Sequence, residues 1–208
     1  MPAPAPLLIV LSAPSGGGKT TLCEQLLAAD PRVARVVTCT TRVPRGAERD
    51  GVDYHFLGAA AFERRVREGD FLEHATVYGN HYGTLRQSVA DLLATGRDVL
   101  LAIDVQGAAT VRARAREDAR LRVALVTVFL TPATADVLAQ RLRKRGADTP
   151  DAVATRLRQA QQEVAHWREF DYLLPSTTVA EDLRQMQCVL EAERRRTSRA
   201  SAPELDPS

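Results

Sequence analysis

The chain has 208 residues, 45% of them hydrophobic and 26% charged, with a formal net charge of +2. That length and balance suit one globular α/β enzyme domain with insertions. The small net charge lacks the footprint of a dedicated nucleic-acid binder, the 5% aromatic content is too low for a single-strand stacking platform, and no apolar run approaches a membrane span.

The first six residues, Met1-Pro2-Ala3-Pro4-Ala5-Pro6, carry no basic region and lead into the apolar run Leu7-Leu8-Ile9-Val10-Leu11. This reads as a first strand and not as a signal peptide. Next comes Ala13-Pro14-Ser15-Gly16-Gly17-Gly18-Lys19-Thr20, followed by a helical segment over residues 21–29. A strand, a glycine-rich turn ending in Gly-Lys-Thr and a helix form the layout of a phosphate-binding P-loop. Glycines let backbone N–H groups approach an anion without an intervening Cβ, and the helix N-terminus adds unpaired donors and a favourable dipole. Lys19 can reach the outer phosphates and the Thr20 hydroxyl can ligate Mg²⁺. Ala13 stands where the usual pattern has glycine.

Residues 35–40 then read as a strand, residues 42–51 as a charged loop, residues 52–57 as a short strand and residues 59–68 as a helix stopped at Gly69. Residues 78–84 read as a Gly/Asn/Tyr turn and residues 85–94 as a helix ended by Gly96. The nearly continuous apolar run from Asp98 to Asp104 is typical of a central parallel strand, and Asp104 falls at its carboxyl end, where such sheets bind ligands. A helix over residues 105–116 follows, with Arg112, Arg114 and Arg116 on its solvated side. Residues 121–130 read as a buried strand, residues 134–145 as a helix with a cationic end, residues 152–170 as a long helix with Pro150 near its start, residues 171–174 as the last strand and residues 179–196 as an amphipathic helix. The polar tail 197–208 reads as disordered. Cys23, Cys39 and Cys188 are scattered and odd in number, which suggests reduced thiols in a cytoplasmic protein. His55, His74, His81 and His166 lack metal-ligand spacing.

Alternating strands and helices indicate an α/β fold with a mostly parallel central sheet flanked by helices. Residues 38–96 break that rhythm as an inserted lobe, and the arginine-rich stretch after Thr134 reads as a smaller second insertion. The core is then 7–37, 97–139 and 159–196, all within one domain.

Beyond the P-loop, the chain carries Thr40-Thr41-Arg42-Val43-Pro44-Arg45, Phe71-Leu72-Glu73-His74-Ala75, Tyr82-Gly83-Thr84, Ile103-Asp104-Val105-Gln106-Gly107 and Arg141-Leu142-Arg143-Lys144-Arg145-Gly146. In this order the motifs resemble the guanylate kinase family over nearly the whole chain. The resemblance implies reversible transfer of the γ-phosphoryl group of MgATP to GMP or dGMP, giving ADP and the guanosine diphosphate, in cytoplasmic purine metabolism. It implies an ATP site at Ala13, Pro14, Ser15, Gly16, Gly17, Gly18, Lys19 and Thr20, with Mg²⁺ at Thr20. It also implies a GMP phosphate site at Arg42, Arg45, Tyr54 and Tyr82, and base reading by Thr38, Glu73, Thr84 and Asp104. The resemblance makes Lys19, Arg42, Arg141, Arg145 and Arg156 the catalytic set and the second insertion, 140–158, a small helical lid.

The chemistry of these residue types agrees with the roles. Guanidiniums fork onto phosphate oxygens while staying charged. A carboxylate accepts the adjacent N1–H and N2–H₂ donors of guanine, whereas adenine presents a bare acceptor there. Two positions depart from the family pattern. Ala102 stands where many members have an aspartate, and Pro175-Ser176-Thr177 replaces the usual residues near the adenine pocket, so ATP as donor rests on the family. A peptide-binding relative without activity and a kinase of phosphorylated sugars are the rival readings. The intact Lys19 and Thr20 oppose the first, and Glu73, Thr84 and Asp104 would lack a base to read in the second. The final helix leaves room for a homodimer without demanding one.

Overall fold

The computed structural model describes residues 4–77, 79–144 and 150–200. In chain order its elements are β1 (Leu8–Ser12), α1 (Lys19–Ala29), β2 (Val33–Arg35), β3 (Cys39–Thr40), β4 (His55–Phe56), α2 (Ala59–Glu68), β5 (Phe71–Val77), β6 (Asn80–Leu85), α3 (Arg86–Ala94), β7 (Asp98–Ala102), α4 (Val105–Glu117), α5 (Ala119–Ala124), β8 (Leu125–Pro132), α6 (Ala135–Lys144), α7 (Pro150–Val164), β9 (Tyr172–Ser176) and α8 (Val179–Arg194). A 3₁₀ turn, Trp167–Glu169, separates α7 from β9.

Five strands form the main sheet in the order β2-β7-β1-β8-β9. Every pairing in it is parallel. The central strand β1 shows why its sequence is apolar without alternation. Leu7, Ile9 and Leu11 face a core shared with Leu22 and Leu26 of α1 and Met186 and Leu190 of α8. Leu8 and Val10 face the opposite core, with Val89 of α3 and Ala108 and Val111 of α4. Both faces of the strand are covered, so both sets of side chains leave water.

A second sheet, in the order β4-β3-β6-β5, carries the inserted lobe. Its strands β5 and β6 pair antiparallel with Glu73 opposite Thr84. Phe62 of α2 stacks on Phe71 with ring centroids 4.6 Å apart, giving the lobe its own small core with Cys39.

Several elements differ from the sequence reading: the long helix ends at Val164 and not at residue 170, and only His55–Phe56 of residues 52–57 is a strand. Residues 35–40 are not one strand: β2 ends at Arg35 in the main sheet and β3 begins at Cys39 in the lobe. Val36 still donates to the Leu100 carbonyl at 3.5 Å, so the chain leaves one sheet and enters the other within this run. Residues 80–85 form β6 instead of continuing a turn, because each has a partner on β5 or β3. Residues 119–124 are the helix α5, capped by the Asp118 carboxylate, which accepts from the N–H groups of Arg120 and Leu121. Finally, the chain stays packed through Arg199, whose guanidinium donates to the carbonyls of Val123 and Leu125 at 2.7 and 3.1 Å and pairs with Glu193.

Arg112 and Arg114 are likewise not simple surface charges. Arg112 lies over the Phe170 ring, 4.9 Å from its centroid, and pairs with Glu169. Both guanidiniums have a buried Nη1. Cys23 and Cys39 are buried free thiols and Cys188 is an exposed one.

Candidate active site

The P-loop connects the carboxyl end of β1 to α1. Its conformation needs glycine at two places: Gly16 has φ +81° and Gly18 φ +101°, a region that side chains with a Cβ avoid. Gly17 is constrained by space, since a Cβ there would lie 2.9 Å from the Pro14 carbonyl oxygen. Ala13 is buried in the core beneath the loop. Lys19 opens α1, and its Nζ donates to the Ile103 carbonyl at 3.0 Å. Burial pushes the Lys19 pKa below its ordinary value, with the Asp104 carboxylate the strongest opposing influence. Thr20 is exposed in the same first turn.

From α6, Arg141 spans the loop and β9. Its Nη1 donates to the Gly17 carbonyl at 3.3 Å and to Ser176 Oγ at 2.9 Å. Ser176 is buried and donates in turn to Asp182 at 2.6 Å.

A cationic cluster occupies the lobe. Arg42 is 7% exposed, and its Nη2 donates to Glu48 Oε1 at 2.8 Å. The guanidinium carbon lies 5.4 Å from the Tyr54 ring centroid. Tyr54 and Tyr82 pack edge to face with centroids 6.2 Å apart. The Glu48 hydrogen bond, joined by the Tyr82 hydroxyl, raises the Arg42 pKa against the effect of burial, so the guanidinium is firmly charged. Glu48 Oε2 also accepts the Arg45 backbone N–H at 2.7 Å, which leaves the exposed Arg45 side chain on the rim of the cluster.

The third cluster lies between the lobe and the carboxyl end of β7. Glu73 is only 3% exposed. Its Oε1 accepts from Thr84 Oγ1 at 2.5 Å. Burial raises its pKa to about 7, the Thr84 hydrogen bond pulls it down and the Asp104 charge pushes it up. Asp104 caps α4, accepting the Gly107 N–H at 2.8 Å. Gly107 is there for space: a Cβ would lie 2.7 Å from Glu73 Oε2 and 3.3 Å from Asp104 Oδ1.

These contacts bring together Lys19, Glu73, Thr84 and Asp104 in one place and Arg42, Tyr54 and Tyr82 in another, with Arg141 on the P-loop. Thr38 lies just before β3, half-buried, with its carbonyl accepting from the His55 N–H at 2.8 Å. Arg156 is half-buried on α7. Arg145 lies outside the described residues. Ala102 ends β7 with an exposed methyl. Sequence reasoning passed over Glu48 and Gly107. Glu48 had one signal, its place as an acidic residue among Arg42, Arg45 and Arg49, and Gly107 closed a motif already singled out.

Among the described residues, no group of three or more His, Cys, Asp or Glu side chains could hold a metal ion. The exposed Thr20 hydroxyl in the first turn of α1 is an oxygen donor of the kind Mg²⁺ takes, since Mg²⁺ keeps several waters and binds through few protein ligands.

The family model described as guanylate kinase matches residues 6–193. A guanylate kinase of Alkalilimnicola ehrlichii is 44% identical over 192 residues, 92% of this chain and 91% of that protein. One of Maricaulis maris is 42% identical over 188 residues, 90% of this chain and 84% of that protein. The crystal structure of guanylate kinase from Anaplasma phagocytophilum aligns with a TM-score of 0.75 at 30% identity, covering 94% of this chain and 89% of that one. Sequence and fold agree over the same span that carries the P-loop and both lobe clusters: the chain belongs to the guanylate kinase family.

Proposed function

We propose that the protein transfers the γ-phosphoryl group of MgATP reversibly to GMP or dGMP. The observation that carries this reading is the buried Glu73–Thr84–Asp104 cluster beside the P-loop lysine. A carboxylate 3% exposed at the mouth of a phosphate site has a use if it accepts the paired N–H donors of guanine.

In this reading Lys19 and the loop amides hold the donor phosphates. The Thr20 hydroxyl would hold Mg²⁺ from this chain, and the ion would supply neutralising charge at those phosphates. Arg42 and Arg45, with the hydroxyls of Tyr54 and Tyr82, hold the acceptor phosphate, whose oxygen attacks the γ-phosphorus as the bond to ADP breaks. Arg42 exchanges its Glu48 partner, or shares it, when that phosphate arrives. Arg141, Arg145 and Arg156 bring positive charge over the transferring group as the lid closes, which serves a reaction governed by positioning and charge. The acceptor phosphate is already ionised near neutral pH, so no dedicated base is needed. The buried thiols suit the reducing cytoplasm.

The test is an ADP-release assay with MgATP and GMP, dGMP, AMP, CMP or UMP. Turnover confined to guanine nucleotides supports the reading. A folded, nucleotide-binding protein without turnover on any acceptor overturns it.

A further inference from the structure

One carboxylate reaches the P-loop without a part in the chemistry above. Glu163 sits in the last turn of α7, and its Oε2 accepts the Ser15 backbone N–H at 3.0 Å. Gln159, one turn earlier, donates to its Oε1 at 3.3 Å. Ser15 and Glu163 are 148 residues apart, so the contact ties two distant elements. Lys19 lies close enough to favour the charged carboxylate, while burial, the larger influence, opposes it.

The α6–α7 pair bears on the loop elsewhere too. Leu138, Leu142 and Ala160 form the core between the two helices. A Cβ on Gly16 would meet Leu142 Cδ2 at 2.8 Å, so the loop backbone rests directly on α6. Arg141 holds the Gly17 carbonyl from the same helix. Glu163 adds a tie from α7, and Arg156 stands seven residues earlier on that helix. Seven residues are about two turns, which places both side chains on one helix face.

We infer that Glu163 is a positioning residue: by accepting the Ser15 N–H it sets the placement of α7, and with it Arg156, relative to the phosphate loop. A half-buried backbone N–H needs a partner. A rigid element holding that partner transmits its position along the helix. Loss of the tie then loosens the loop and displaces Arg156 together. This inference rests on the reading of the loop as the donor-phosphate site.

Two variants separate reach from charge. Glu163→Gln keeps the side-chain length and an acceptor oxygen. Glu163→Asp keeps the charge and withdraws the acceptor by one methylene. Each is compared with the parent protein in MgADP affinity by calorimetry without GMP, in kcat and in the KM values of ATP and GMP, and in thermal midpoint. The expected result for Glu163→Asp is MgADP binding weaker by about tenfold and kcat lower by about tenfold, as for loss of a charge-assisted hydrogen bond. Its KM for GMP and its thermal midpoint stay close to the parent's, a split that a general loss of structure does not produce. Glu163→Gln remains within about threefold of the parent in both quantities. A Glu163→Asp protein that matches the parent overturns the inference, as does a Glu163→Gln protein as impaired as Glu163→Asp. Should Glu163→Asp fail to fold, hydrogen exchange of the Ser15 amide decides: slow exchange in the parent that speeds up at least about tenfold in Glu163→Ala supports the tie, and equal exchange in the two overturns it. Absence of turnover in the parent strikes the proposed function, while the MgADP titration continues to test Glu163.

Discussion

Glu73 and Thr84 face each other across the antiparallel pair β5 and β6, and the Thr84 hydroxyl donates to the Glu73 carboxyl at 2.5 Å. One carboxylate oxygen is therefore held by the lobe itself, and the other, Oε2, lies next to Gly107. The Thr84 bond fixes the carboxyl plane, so its remaining acceptor capacity points one way. A base reader needs this rigidity, because discrimination comes from leaving a buried polar group unpaired with the wrong base.

Glu73→Gln replaces an acceptor-only group with an amide that also donates. The expected outcome is a fall of about a hundredfold or more in the ratio of kcat/KM for GMP over AMP, with the KM of ATP little changed. Steady-state kinetics on both acceptors measure it, and an unchanged ratio removes Glu73 from base recognition.

The raised Glu73 pKa makes two pH predictions. Burial lifts it to about 7, while guanine donors favour the ionised form, so GMP binding near neutral pH releases a proton. Calorimetry in two buffers of different ionisation enthalpy reads that proton, and Glu73→Gln abolishes its release. For stability the folded pKa stands above the unfolded one. The contribution is complete below about pH 4.5 and is lost as pH rises through about 7, by about 3 kcal/mol. Relative to Glu73→Gln, the parent protein loses unfolding free energy between about pH 4.5 and 7; parallel curves contradict the assignment.

Gly107→Ala forces a Cβ to 2.7 Å from Glu73 Oε2. The carboxyl must shift, since the other neighbour is the Asp104 cap. GMP affinity is expected to fall at least about tenfold with ATP affinity retained. Equal losses for both nucleotides in calorimetry indicate general misfolding instead.

Lys19→Ala removes the cation proposed above to hold the donor phosphates. A drop in kcat of about a hundredfold or more is expected with GMP binding still measurable by calorimetry. Unchanged turnover excludes the P-loop from the mechanism.

Far from this site, Arg194 bridges Asp98 and Asp30, all three at most 8% exposed. Asp98 also accepts the Leu7 N–H at 2.8 Å, at the start of the central strand. Arg194→Ala leaves the buried Asp98 without its cation, while Asp30 keeps Arg32 at 3.2 Å, and is expected to lower unfolding free energy by about 3–5 kcal/mol. Denaturant unfolding measures it, and a change under about 1 kcal/mol shows that water replaces the arginine.

What the sequence disclosed follows from where its signals are local. β1 and β7 were legible because strands covered on both faces stay apolar throughout. The helix Ala59–Glu68 was legible to the residue, since Gly69 ends it with φ +73°. Residues 121–130 misled because Leu121, Val123 and Leu125 alternate like a strand, while the Asp118 cap that starts a helix lies just upstream. β6 was hidden because its Gly and Asn suggest a turn, and only pairing with β5 makes it a strand. The candidate site residues other than Thr38, Tyr54 and Arg156 stood in motifs, but Glu48 and Glu163 are single carboxylates whose partners come from tertiary contact. No spacing rule reveals a hydrogen bond across 148 residues.

Guanine-specific phosphoryl transfer is proposed to rest on the buried Glu73 cluster beside the P-loop. ADP release from MgATP with GMP, dGMP, AMP, CMP and UMP, run on the parent protein and on Glu73→Gln, tests it most directly. Rapid turnover of GMP and dGMP alone is expected, with collapse of that preference in the variant. Comparable turnover of AMP by the parent, or a preference that survives Glu73→Gln, contradicts it.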